Sequence, residues 1–277
     1  MPPANRPRVA IIGCGYVGGA VGRALATEGF DCVGTTTSRE RLDEIDVLGI
    51  RSAVLRLADV DELHALLADR DVVLLTVAAG RRDTGYRAVY LDGARHLLRA
   101  IEGTAVRRLI YTSSTGVYGQ DDGSWVDENS LTEPTSDNGR TLLEAERTLL
   151  DGGSRIGLNV TVLRLAGIYG PGRGPQNTLS QVAGSTRTDG DVYLNLIHVD
   201  DIVSAMRRLI GVPYHGVLNL SDGAPTTRRE YYDRLISNTG LAPIRWEADP
   251  SSPVRGKRVS NERIKRVLDL SLLHPTH

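Results

Sequence analysis

Two cysteines, Cys14 and Cys32, are all that the 277 residues contain, so a disulfide framework is excluded and a reducing cytoplasm is the compartment that fits. No Cys/His cluster has the spacing of a metal motif, and no metal is expected. Charge of one sign is not in excess: 33 basic against 34 acidic residues give a net charge of −1. That balance argues against nucleic acid or an anionic membrane as partner and leaves small molecules. No apolar run approaches the roughly 18 residues of a membrane span, and the opening MPPANRPR lacks the apolar stretch of a signal peptide, reading instead as a short loose leader. Internal repeats and low-complexity tracts are absent as well. Aromatics are lopsided, with a single Phe against ten Tyr, so phenols do part of the aromatic packing. An apolar fraction of 40% is enough for one large domain or a domain with a smaller lobe.

What is present is an alternation. Apolar, β-rich runs at 8–12, 31–36, 52–57, 71–77, 107–112 and 159–165 are separated by helical patterns at 17–28, near 40–48, 61–68, 86–101 and near 138–151. Continuous apolar strands between amphipathic helices predict an α/β fold, a Rossmann-type doubly wound parallel sheet covered on both faces. The Pro/Gly-rich stretch Gly170 to Pro175 reads as a loop between lobes. Beyond it come a helix at 200–210, a strand at 217–221, a helix at 226–238 and the basic segment GKRVSNERIKRVL. The expected division is a dinucleotide-binding domain over 1–165 and a smaller substrate lobe over 166–277, with the strand near 217–221 returning to the main sheet.

The first strand runs directly into Gly13-Cys-Gly15-Tyr16-Val17-Gly18. The first glycine permits a tight turn, the second lets backbone approach a pyrophosphate, and the third allows helix and strand to pack closely, with the helix N-terminus facing the negative charge. At the end of the second strand an acidic residue would bind the ribose 2′-hydroxyl of NAD. Here the residues are Thr35, Thr36, Thr37, Ser38 and Arg39, whose hydroxyls and guanidinium suit a 2′-phosphate. NADP is therefore expected over NAD.

GCGYVG at 13–18, YTSSTGVYG at 111–119, LRLAGIYGPG at 163–172, IHVDDI at 197–202, VLNLSDG at 217–223 and GKRVSNERI at 256–264 follow in one order along nearly the whole chain. In this the sequence resembles the extended short-chain dehydrogenase/reductases, the NAD-dependent epimerase/dehydratase superfamily, and within it an atypical, YeeZ-like branch. The resemblance implies that Val77, Ala78 and Ala79 lie along the cofactor, that Thr112 and Ser113 sit beside the nicotinamide ribose, and that Leu165, Ala166 and Ile168 flank the nicotinamide. It implies a catalytic role for Ser114 and a structural one for His198 and Asp200. It also implies a homodimer through the helices near 86–101 and 138–151.

The same resemblance makes PTSDNGRTLLEAE, residues 134–146, the active-site helix, which in the family carries Tyr-x-x-x-Lys. The matching positions are Asn138 and Leu142, and the Asn of the preceding helix matches Tyr90. Asn does not titrate in water and Leu supplies no charge. Either another group replaces that acid, with Tyr90 and Tyr193 ahead of Tyr86, Tyr118, Tyr169 and His198, or the chemistry is different or absent. Thr115 and Asn138 are candidates to orient substrate, Arg173 to bind an anionic group and Asn195 a hydroxyl, with Arg81 and Arg82 as a second basic pair. Three functions stay open: an NADP-dependent oxidoreductase on a small polar, sugar-like or phosphorylated substrate; an epimerase or dehydratase that recycles its cofactor; and a noncatalytic NADP-binding sensor.

Overall fold

The computed structural model describes residues 6–79, 85–174, 176–237, 239–248 and 255–274. The first five residues of the leader, and Arg81 and Arg82, lie outside them. The strands are β1 Val9–Ile12, β2 Cys32–Thr36, β3 Arg51–Val54, β4 Val72–Leu75, β5 Arg108–Ser114, β6 Asp122–Val126, β7 Asn159–Leu165, β8 Gly167–Tyr169, β9 Thr186–Arg187, β10 Tyr193–Leu194, β11 Leu196–His198, β12 Gly216–Leu220, β13 Thr226–Thr227, β14 Arg245–Trp246 and β15 Gly256–Val259. The helices are α1 Tyr16–Thr27, α2 Leu42–Asp46, α3 Val60–Leu67, α4 Gly93–Ile101, α5 Asp137–Arg155, α6 Gln176–Val182, α7 Val199–Gly211, α8 Arg228–Ser237 and α9 Glu262–Leu268. Among the described residues no helix is long and apolar enough to cross a membrane.

Seven parallel strands form the main sheet in the order β12-β7-β5-β4-β1-β2-β3. The order reverses between β1 and β4, which opens a crevice at the carboxyl ends of these strands. The all-apolar runs VAII and VVLL occupy the centre because both of their faces are covered. On one face Val9, Ile11, Val72, Leu74 and Leu163 pack with Val21 and Leu25 of α1 and with Ile202 and Met206 of α7. On the other, Ala10, Ile12, Val73, Leu75 and Val162 pack with Leu63 of α3, Leu97 of α4 and Leu149 of α5. Alternate residues of one strand thus feed two separate cores. β12 returns from the C-terminal part to pair with β7, Val217 opposite Val162.

Three elements depart from the pattern expected of the sequence. The helix near 40–48 divides into a 3₁₀ turn, Arg39–Arg41, and the short α2, because only Ile45 of this charged segment reaches the core. The helix over 86–101 opens with a π-helical turn, Ala88–Asp92, before α4. Helix α5 is longer than 138–151. Its N-terminus is capped by Ser136, whose side chain accepts the Gly139 N–H at 3.1 Å. It also continues through Gly152 and Gly153, where a β-carbon would come within 2.4 Å of Leu98 and 2.3 Å of Val160. Close packing on α4 and β7 overrides the poor helix propensity of glycine there.

Beneath this helix lies a buried ion pair. The Arg164 guanidinium donates to Glu146, with Nη2 2.7 Å from Oε2, and the Ser113 hydroxyl donates to Glu146 Oε1 at 2.5 Å. Arg164 also donates to the Tyr118 hydroxyl at 2.9 Å, which in turn donates to Asn219 at 2.9 Å. One network therefore joins α5, β5, β7 and β12. Replacing Glu146 with Ala leaves Arg164 charged and unpaired in the interior, and the expected loss is about 3–5 kcal/mol of unfolding free energy. Urea unfolding checks this; a loss below about 1 kcal/mol, the range of a surface pair, would contradict the assignment.

Candidate active site

The crevice holds a groove of about 790 Å³. At its phosphate end Gly13 adopts φ +96°, and a β-carbon there would come within 2.9 Å of the Val77 backbone, so only glycine makes this turn. Its N–H donates to Thr35 Oγ1 at 3.1 Å and its carbonyl accepts from Thr76 Oγ1 at 2.8 Å. A β-carbon on Gly18 would lie 2.3 Å from the Gly13 carbonyl oxygen and 2.5 Å from Thr76 Oγ1, which is the close helix–strand contact the motif serves. Gly15 is different: nothing lies within 4 Å of where its β-carbon would be. No side chain caps α1 at Gly15, and Tyr16 and Val17 continue the groove wall. A bare helix N-terminus facing open space suits a pyrophosphate, so these residues fit a dinucleotide.

At the end that would take the adenosine ribose, Thr36 and Thr37 line the groove together with Arg41 and Arg56. The sequence nominated Arg39 and Ser38. Arg39 begins the 3₁₀ turn and is exposed away from the groove, and the Ser38 hydroxyl donates to Glu40. Two residues further round the turn, Arg41 faces inward and donates to the Cys14 carbonyl at 3.0 Å. Burial pushes the Cys14 thiol up to about 11 against the lowering effect of Arg41, so it stays a protonated packing group.

Val77, Ala78, Thr112, Ser113, Leu165 and Ile168 line the opposite end. The hydroxyls of Thr112 and Ser113 donate to protein, to the Leu75 carbonyl at 3.2 Å and to Glu146, and present lone pairs as acceptors. Ala166 is buried behind the wall and its N–H donates to the Leu220 carbonyl. Ala79 does not line the groove; its N–H donates to the Tyr90 hydroxyl at 3.3 Å.

Tyr90 lies in the π-helical turn and lines the groove. Its ring stacks against Tyr86, centroids 4.5 Å apart, and both pack on the buried cluster of Val117, Tyr118, Val126, Leu142, Leu143 and Val259. Leu142 is thus part of an apolar wall behind Tyr90. Burial raises the Tyr90 phenol above its ordinary pKa, with the Ala79 N–H pulling it back. Asn138 sits exposed on the first turn of α5. Ser114 ends β5, where its Oγ accepts the Gly116 N–H at 3.0 Å and keeps its proton to donate. Thr115 opens the 3₁₀ turn that follows.

Two nominations fall elsewhere. Tyr193 pairs with Thr227 in the β10/β13 ribbon and packs on Arg258 outside the groove. Asn195 uses both ends of its amide on β15, donating to the Lys257 carbonyl at 2.8 Å and accepting the Val259 N–H at 2.7 Å. It is a latch between β15 and the segment before β11 and does not line the groove. Arg173 lines the groove, its guanidinium over the Tyr16 ring at 5.6 Å. Tyr118 belongs to the buried network, and Tyr169 sits edge-on to His198 at 4.9 Å.

Arg41 and Arg56, which line the groove, were not singled out from the sequence; Lys257 does not line it. Lys257 Nζ donates to the Tyr118 carbonyl at 2.8 Å, and burial holds its ammonium below the ordinary lysine pKa. Among the described residues no carboxylate lies within ion-pair distance of it. Composition held a signal: only Lys257 and Lys265 among the 33 basic residues are lysines, so a lysine here is a marked choice.

Residues 9–220 match the model of the NAD dependent epimerase/dehydratase family. The chain belongs to that family. It is 32% identical over 274 residues to protein YeeZ of Escherichia coli K12, covering 97% of this chain and 96% of YeeZ. Among solved structures, a conserved protein of unknown function from Silicibacter pomeroyi superposes with a TM-score of 0.74 at 26% identity, over 98% of this chain and 95% of that one. A UDP-glucuronic acid 4-epimerase from Bacillus cereus, in complex with UDP-4-deoxy-4-fluoro-glucuronic acid and NAD, reaches 0.81 at 19% identity over 96% and 94%. At that identity the likeness is one of fold.

The Gly18 contacts supply a test of the phosphate cradle. Gly18→Ala forces the Gly13 carbonyl to move, and the expected result is a nicotinamide dinucleotide affinity at least about tenfold weaker, ~1.4 kcal/mol, by titration calorimetry. Undiminished affinity would show that the loop does not hold the pyrophosphate.

Proposed function

We propose that the protein is an NADP-dependent oxidoreductase acting on a small polar, sugar-like or phosphorylated substrate, with the Tyr90 phenol as proton donor. The observation that carries this reading is the placement of Tyr90. A titratable hydroxyl stands in the groove on a π-helical turn, a feature frequent at functional sites, and the apolar wall behind it includes the residue that took the place of the family's Lys. A bound nicotinamide dinucleotide supplies two-electron redox chemistry at its ring. The chain's own residues do the rest. A phenol is protonated at neutral pH and burial raises this one further, while the Ala79 N–H occupies one lone pair of its oxygen and leaves the proton to be given. Ser114 keeps a hydroxyl proton for orienting a substrate oxygen. Arg173, which lines the groove, is a cation able to meet a carboxylate or phosphate.

NADP is favoured by two guanidiniums, Arg41 and Arg56, beside Thr36 and Thr37, with no carboxylate lining that end among the described residues. A 2′-phosphate gains charge-assisted hydrogen bonds there that a 2′-hydroxyl does not. The relatives named as epimerases favour a second reading, in which the cofactor is reduced and reoxidised within one cycle. Product formation without net change in nicotinamide absorbance would select it over a net oxidoreductase.

Two measurements test the assignments. Replacing Arg41 and Arg56 together with Ala is expected to weaken NADPH binding at least about tenfold while leaving NADH within about threefold; equal losses for both would remove the 2′-phosphate role. Tyr90→Phe is expected to lower turnover by about 10²–10⁴ with cofactor affinity unchanged. Unaltered turnover would take the proton from another group.

A further inference from the structure

His198, Asp200 and His274 meet outside the groove, behind the turn at Gly170. His198 ends β11 and caps α7, its Nδ1 accepting the Asp200 N–H at 3.2 Å. The Asp200 side chain turns back, placing Oδ2 3.4 Å from the same nitrogen. The C-terminal tail then brings His274 onto this pair. Its Nε2 lies 3.3 Å from Asp200 Oδ2, and its ring stacks on His198 with centroids 3.7 Å apart. Buried Asp201 holds the tail backbone separately, accepting the N–H groups of Leu273 at 2.5 Å and His274 at 3.1 Å.

Two imidazole nitrogens facing one carboxylate oxygen at 3.3 and 3.4 Å are long for hydrogen bonds. They equal the edge of a coordination tetrahedron: metal bonds of about 2.0–2.2 Å at the tetrahedral angle set ligand atoms roughly 3.3–3.5 Å apart. One ligand atom from each of the three residues falls within 4.8 Å of the others. We propose that His198 Nδ1, an Asp200 carboxylate oxygen and His274 Nε2 bind one divalent transition-metal ion of the zinc class, clipping the C-terminal tail to the start of α7. Imidazole with carboxylate is a borderline donor set that selects such ions over calcium or magnesium, and three protein ligands leave the fourth position for water. Binding exchanges the cap hydrogen bond of His198 for a metal bond. The charges of Asp200 and Asp201 offset the positive end of the helix, which otherwise disfavours a cation.

The test uses the full chain without an affinity tag, stripped with chelator and titrated with Co²⁺ as a spectroscopic probe and Zn²⁺ as competitor. One equivalent of Co²⁺ with the intense visible bands of a tetrahedral site, displaced by Zn²⁺, is expected. His274→Ala and His198→Asn, the latter keeping a helix-capping acceptor, each weaken binding at least about tenfold. Zn²⁺ raises the melting temperature of the native chain and not of His274→Ala. Absence of saturable Co²⁺ binding, or binding unchanged in either variant, overturns the proposal.

Discussion

The pair between Glu146 and Arg164 is the constraint on which the site's geometry rests. Both side chains are almost wholly out of water, 2% and 5% exposed, and two such charges are tolerated only when their remaining donors and acceptors are matched. Ser113, Tyr118 and Asn219 supply those matches from β5, the turn after it and β12. None of the four elements can slide without orphaning a charge. The same bonds fix the register of α5 against β5, which sets Leu142 into the wall behind Tyr90 and brings Ser113 to the groove.

Leu142 has a packing role of its own in this wall. An ammonium at position 142 would have to be solvated or paired; a leucine can be driven into contact with Val117, Tyr118 and Val126, and it can share that cluster with Tyr86 and Tyr90. The π-helical turn inserts one extra residue's worth of rotation ahead of α4 and so presents the phenol toward Ala79 and the groove.

Whatever is encoded in contiguous residues was legible in the sequence. The sheet, the glycine turn and the returning strand near 217–221 each rest on an apolar run or a local backbone requirement. The substrate side was not legible in that way. β10, β13, β14 and β9 are two-residue strands whose partners lie far along the chain, too short to carry a period, so neither the burial of Tyr193 against Arg258 nor the double engagement of Asn195 could be read from spacing. Arg39 and Arg41 differ by a fraction of a 3₁₀ turn, and only the phase of that turn, set by Ile45 reaching the core, decides which guanidinium meets the groove. His274 was invisible for the same reason, standing 74 residues from Asp200.

Family membership and local chemistry speak to different parts of the cofactor. The Gly13–Gly18 turn and the uncapped start of α1 suit a pyrophosphate, which NAD and NADP share. Discrimination falls on the few residues that follow β2 and β3, which can change without touching the sheet. There Arg41 is half committed, donating to the Cys14 carbonyl and paired with Glu44 at 3.1 Å, whereas Arg56 has no ion-pair partner among the described residues. A 2′-hydroxyl would leave that guanidinium beside a site to which it contributes little. A 2′-phosphate there would meet the Arg56 charge and the Thr36 and Thr37 hydroxyls together, which is the ground of the NADP proposal.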